Sequence, residues 1–215
     1  MRVCRSSLTF IVFFFFFLQT EKGSGQNKPR CHYKELSSPE KHWVIFHPFV
    51  AKKAYRLSVQ ARAASKELLK DPLFDGDENG GQIDAFRHGY WMALLSQNIC
   101  WRKARSLGKA HEKGNYQAFK KGQKEEGLLP DSASGAMDAY NNGVGLAIGK
   151  SKKNISADEL KSAVRDSVLA GKMKIIRKNA AGQSLDCEGN ILDHVHGIHQ
   201  WNIPKCLVGS DTKRK

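Results

Sequence analysis

The chain is short of acidic residues, cysteine and long apolar runs, and each shortage narrows what it is. Only 21 Asp and Glu stand against 35 Lys and Arg in 215 residues, a formal charge of +14. The anionic half of any interaction therefore comes from the partner: phospholipid headgroups, sulfated glycan or nucleic acid. One apolar run exists, Leu8 to Leu18, which excludes a bundle of membrane-spanning helices. Five cysteines, none in a closely spaced pair, do not make a Cys-ligated metal cluster. Repeats are absent, which excludes a solenoid.

The apolar run follows Arg2 and Arg5 and is followed by Gly23-Ser24-Gly25. Charged, apolar and small-residue segments in that order read as a secretory signal over residues 1–25, and the run is shorter than the roughly 20 residues of a membrane span. Removing it lowers the charge to about +12 and leaves about 190 residues, one domain's length. Cys31, Cys100, Cys187 and Cys206 remain, and an oxidising compartment pairs them. Of three possible pairings we favour Cys187 with Cys206, closing a C-terminal loop, and Cys31 with Cys100. Asn154-Ile155-Ser156 is an N-glycosylation acceptor in a secreted chain.

The remainder reads as mainly α, a single-domain bundle of about five helices with a short strand: an N-terminal arm over 26–46, a helical domain over 47–178 and a loop-rich basic tail over 179–215, held by its disulfide. Apolar residues from Val50 to Leu68 recur at helical spacing up to Asp71-Pro72. Gln82 to Ile99 is apolar on nearly every side and so buried. Trp101 to Lys113 is a basic helix, followed by a charged connection from Tyr116 to Pro130. Ser132 to Gly149 is a fourth helix. Ser156 and Glu159 form a capping box for a fifth that reaches Gly171, and Met173 to Arg177 reads as the strand.

Chemistry concentrates where polar residues interrupt apolar helices. On the second helix Asp84, Arg87, His88 and Trp91 share one stripe. Burying that set is costly unless its members pair or serve a site, so an Asp84 ion pair with Arg87 or His88 stands beside a catalytic reading. On the fourth helix Asp138, Asn141, Asn142, Gly145 and Gly149 share a face that suits either a ligand or a Gly-lined helix crossing. His111 lies on the inward stripe of the third helix, with Glu112 expected toward its basic side. Asp75-Gly76-Asp77-Glu78-Asn79-Gly80 opens like a calcium loop, with Asp75, Asp77 and Asn79 as oxygen ligands, but Phe86 stands where the bidentate Glu belongs. An Asx-rich turn capping the second helix is the alternative. Asp193, His194, His196 and His199 form a weaker candidate metal cluster in the tail.

Gly80-Gly81-Gln82-Ile83-Asp84-Ala85-Phe86-Arg87-His88-Gly89-Tyr90-Trp91, Ala110-His111-Glu112, and Met137-Asp138 with Asn141-Asn142-Gly143-Val144-Gly145 together resemble a little-characterised helical domain of bacterial secreted and toxin-like proteins. The likeness spans about His47 to Met173 and implies that these polar positions are the domain's signature. A lesser likeness is to secreted bacterial and fungal phospholipases of the A2 type, whose helices carry an Arg-His-Asp run. Gly89 replaces that Asp here, so the phospholipase calcium site does not carry over.

These readings lead to a secreted hydrolase that acts on an ester or phosphoester of an anionic lipid or nucleic acid. His88 is the expected general base, oriented by Asp84 or Asp138, with His111 or Glu112 completing the site and Arg87, Asn141 and Asn142 holding negative charge. The second expectation is a non-enzymatic extracellular protein that binds acidic glycan or membrane. A toxin-like nuclease is the third.

Overall fold

The computed structural model describes residues 33–124, 127–192 and 199–213. The proposed signal segment, Cys31, and Asp193, His194 and His196 lie outside the described residues.

Six α-helices and one two-stranded sheet make up the described chain: α1 (Ser38–Phe46), α2 (Pro48–Glu67), α3 (Gln82–Asn98), α4 (Trp101–Lys120), α5 (Ser132–Ser151), α6 (Ala157–Leu169), β1 (Lys174–Ile176) and β2 (Leu207–Gly209). The mainly α expectation holds. Two boundaries differ by more than three residues from those read in the sequence. The expected N-terminal arm contains α1, started by a capping box in which the Ser37 hydroxyl accepts from the Glu40 N–H and the Glu40 carboxylate accepts from the Ser37 N–H, with Pro39 in the first turn. The basic helix also runs on to Lys120, because Gly114 and Phe119 are buried and extend its inner stripe past the expected end.

Helix α3 is the axle. It packs against α2, α4, α5, α6 and β1, and Ile83, Phe86, Tyr90, Met92, Leu94 and Leu95 are all buried on it. A helix with neighbours on every side needs an apolar surface on every side, which is what its sequence offers. Its closest partner is α5, and glycine makes that approach possible. A Cβ on Gly145 would fall 2.1 Å from the Gly89 carbonyl oxygen, and one on Gly149 would fall 2.2 Å from that of Ala93. Gly145 and Gly149 of α5 thus seat a helix, not a ligand.

The tail closes against this bundle. β2 pairs antiparallel with β1 in the register Lys174 to Gly209, Ile175 to Val208 and Ile176 to Leu207. Cys187 and Cys206 are joined, with Cα atoms 4.8 Å apart, as expected. Cys100 is also disulfide-bonded. Buried Asn141 ties α5 to β1 by donating to the Lys174 carbonyl and accepting from the Lys174 N–H, both at 2.9 Å. Asn154 sits exposed in the turn between α5 and α6 at φ +66°, a left-handed conformation that Asn tolerates better than most side chains.

Candidate functional site

Helix geometry brings the two polar stripes together. Asp84 and His88 are four residues apart on α3 and face the same way, and the α3–α5 crossing carries Asp138 up to them. His88 Nε2 lies 3.4 Å from Asp84 Oδ1 and 3.4 Å from Asp138 Oδ1. One ligand atom from each of the three lies within 4.8 Å of the others. All three residues are buried.

Each member is held from behind. The second oxygen of Asp84, Oδ2, accepts the Gly80 N–H at 2.7 Å, a favourable place for a carboxylate in the first turn of α3, where backbone N–H groups and the helix dipole are positive. Its Oδ1 accepts from Arg87 at 2.5 Å. Gly80 is in turn fixed to the sheet, since its carbonyl accepts the Ile176 N–H and a Cβ at its φ of +86° would strike the Ile176 side chain. Burial holds the His88 imidazole well below its ordinary pKa, and charge interactions with Arg87 and His111 add to that. The Asn142 amide beside the ring works in the opposite direction. His88 is thus a neutral imidazole at pH 7.

A second imidazole stands behind the first. His111 on α4 lies 6.1 Å from His88 between ring centroids and meets Trp91 edge-on at 5.5 Å. Its Nδ1 is 3.0 Å from Glu40 Oε1 on α1. Burial by itself raises the Glu40 carboxyl, yet its hydrogen bond and charge interaction with His111, together with the Ser37 hydroxyl and N–H, bring it down to about 2. Glu40 was not among the expected site residues, although the Ser37-Ser38-Pro39-Glu40 capping pattern marks it as a helix-starting carboxylate.

Glu112 does not turn to the basic side of α4. Its Oε1 accepts from Asn142 Nδ2 at 3.2 Å, because α4 is packed between α1 and α5 and has two inner faces. Asp84, Arg87, His88, His111, Glu112 and Asp138 line one open cavity of about 1180 Å³, whose wall also carries Lys124, Lys178, Lys205 and His199. Asn141 and Asn142 do not line it. Asn141 is spent on β1, and Asn142 stands behind His88.

The Asp75 to Gly80 loop is built of Asx turns. Asp75 Oδ1 accepts the Asp77 N–H, and Asp77 Oδ1 accepts the Asn79 N–H. Asp75 also caps α3 by accepting the Gln82 N–H, while Gln82 Oε1 accepts the Asp75 N–H. The Lys178 ammonium donates to Asp77 Oδ2 at 2.5 Å and to the Asn79 carbonyl at 2.7 Å. A lysine cation thus occupies the oxygen-rich side of the loop. His199, the described member of the tail cluster, stacks on Phe119 at 4.6 Å.

No curated protein and no solved structure matches the chain. Residues 41–172, which hold α2 to α6 and every side chain of the cluster, match the model of a domain of unknown function, DUF6973, and the chain belongs to that family.

Proposed function

We propose that this protein is a secreted hydrolase of an ester or phosphoester bond in an anionic lipid or nucleic acid. The observation that carries the reading is the meeting of Asp84, His88 and Asp138, from two helices, at the wall of a cavity that also receives Arg87 and His111. Buried carboxylates beside an imidazole, open to a substrate-sized space, have the composition of a water-activating site. In the reaction, water oxygen bonds to the carbonyl carbon or phosphorus and the ester bond breaks. The cluster takes the water proton, and His111, oriented by Glu40, returns one to the leaving oxygen. Arg87 and Lys124 at the wall meet the substrate's negative charge, while Lys178 and Lys205 are paired with Asp77 and Asp131. Secretion is supported by the Arg2 to Gly25 pattern and the Cys187–Cys206 bond. The exposed turn position of Asn154 suits a glycan.

A second reading, non-enzymatic binding to an anionic membrane surface, is favoured by the α1–α2 corner. Ile45, Phe46 and Phe49 are 60%, 78% and 98% exposed. Lys52 and Arg56 project from the next turns of α2 and line a shallow groove with Phe49. Apolar side chains ringed by cations match the interface of an anionic bilayer.

Incubating the mature, oxidised protein with phosphatidylserine and phosphatidylcholine vesicles, RNA and DNA, with EDTA or with divalent metal, separates the two readings. The hydrolase reading expects product from at least one substrate, lost in Asp138→Asn. Vesicle binding that disappears in Phe49→Ser, with no product from any substrate, selects the second.

A further inference from the structure

The spacing inside the cluster is unusual for hydrogen bonding. Nitrogen to oxygen hydrogen bonds centre near 2.9 Å, whereas His88 Nε2 stands 3.4 Å from each of two carboxylate oxygens. A separation of roughly 3.0–3.4 Å is the edge of an octahedron or tetrahedron of ligands, each about 2.1 Å from a central ion. The two edges from His88 match such a polyhedron, and the ligand atoms of all three residues lie within 4.8 Å of one another, around a space that an ion can draw together.

An independent observation comes from behind the ring. His88 is 3% exposed, and its other nitrogen, Nδ1, has no hydrogen-bond partner within the protein. Asn142, also buried and beside the ring, has its Oδ1 in the same condition. The donation of Asn142 Nδ2 to Glu112 fixes which end of the amide is the oxygen. An imidazole that ligates a metal through one nitrogen carries its proton on the other and gives it to a second-shell acceptor. A small turn of the Asn142 amide would let Nδ1–H donate to its Oδ1, which would leave the Nε2 lone pair, 3.4 Å from each carboxylate, for the ion.

We propose that Asp84, His88 and Asp138 bind one divalent transition-metal ion, manganese or zinc, with Asn142 as the positioning residue that sets the His88 tautomer. Two hard carboxylates with one imidazole suit these ions, whereas calcium takes six to eight oxygen ligands. Three protein ligands leave positions for water, and Arg87, paired with Asp84, brings a positive charge to the same cavity wall. The site is the one invoked for hydrolysis, but ion binding is measured without turnover.

Calorimetric titration of the EDTA-stripped mature protein with manganese, zinc and calcium chlorides tests this. One manganese or zinc ion per chain is expected, with no comparable calcium binding. Binding should vanish in Asp138→Asn and His88→Gln, weaken 10- to 100-fold in Asn142→Ala, and persist in Asp77→Asn. Pulsed electron paramagnetic resonance of the manganese-loaded wild type needs no variant: coupling to a single imidazole nitrogen is expected. No binding, an all-oxygen coordination shell, or loss in Asp77→Asn instead of Asp138→Asn would overturn the site. Hydrolysis persisting in EDTA without ion binding refutes the metal and keeps the hydrolase. Binding without hydrolysis of any substrate does the reverse.

Discussion

Replacing Gly145 by alanine probes how the fold builds its site. The new Cβ would lie 2.1 Å from the Gly89 carbonyl oxygen and 2.8 Å from both the Gly89 carbonyl carbon and its Cα. Ordinary carbon to oxygen contact is over 3 Å and every clashing atom is backbone, so no rotamer relieves it. α5 has to retreat from α3 by about 1 Å. Overpacking of that kind costs typically 1–3 kcal/mol and occasionally more; with rigid backbone on both sides we expect about 3 kcal/mol. For a domain of this size each kcal/mol lowers the melting temperature by roughly 2–4 °C, so the expected fall is about 6–12 °C. Gly143→Ala is the control. Gly143 is exposed on the same helix with nothing within 4 Å of its Cβ position, and the better helix propensity of alanine should stabilise by about 0.5–1 kcal/mol. Thermal unfolding followed by circular dichroism at 222 nm measures both. A Gly145→Ala protein melting within about 2 °C of wild type would refute the close α3–α5 crossing, and with it the placement of Asp138 beside His88.

Acid should unfold the protein partly through Glu40. Its carboxyl is held at about 2 when folded against 4.5 in the unfolded chain, so its contribution is complete above pH 4.5 and is lost as pH falls toward 2. After discounting for its partial exposure the contribution is about 2 kcal/mol. Urea unfolding should show Glu40→Gln less stable by that amount at pH 6, with the gap narrowed to about a quarter at pH 2.5; an unchanged gap contradicts the His111 pairing. Breaking the tail disulfide with Cys187→Ser and Cys206→Ser together should cost about 3 kcal/mol, the loop-closure value for a separation of 19 residues. Equal urea midpoints for variant and wild type would contradict that.

Much of this architecture is legible in the sequence because local rules act alone at those places. α3 announces itself by being apolar all round, α6 by its Ser156 to Glu159 capping box, and α5 by polar side chains grouped on one face. Their convergence at Asp84, His88 and Asp138 follows from helical spacing once the two helices cross. The glycine face was legible as a groove, but only the crossing partner determines what fills it, and here it is α3. α1 hides because nine residues with one buried side chain, Trp43, carry little periodicity. Glu112 points inward because α4 touches helices on two sides, a fact about neighbours that no single stripe encodes. β2 is three residues long and exists only by pairing with β1 across more than thirty residues of chain. The Lys178 cation in the Asp75 to Gly80 loop comes from farther still, 101 residues along the chain from Asp77, so the loop's own pattern cannot announce it.

Whether the cluster is a reactive site or a structural network is decided most directly by Asp138→Asn, an isosteric change that removes one negative charge at the cavity wall. Hydrolysis and melting temperature are read on the same purified sample. Turnover of the wild-type substrate should fall at least about 100-fold, the scale of one water-activating group, while the melting temperature moves by less than about 3 °C, as for a loss of about 1 kcal/mol or less. Turnover unchanged from wild type, or a variant that loses activity only because it unfolds, would contradict the reactive site.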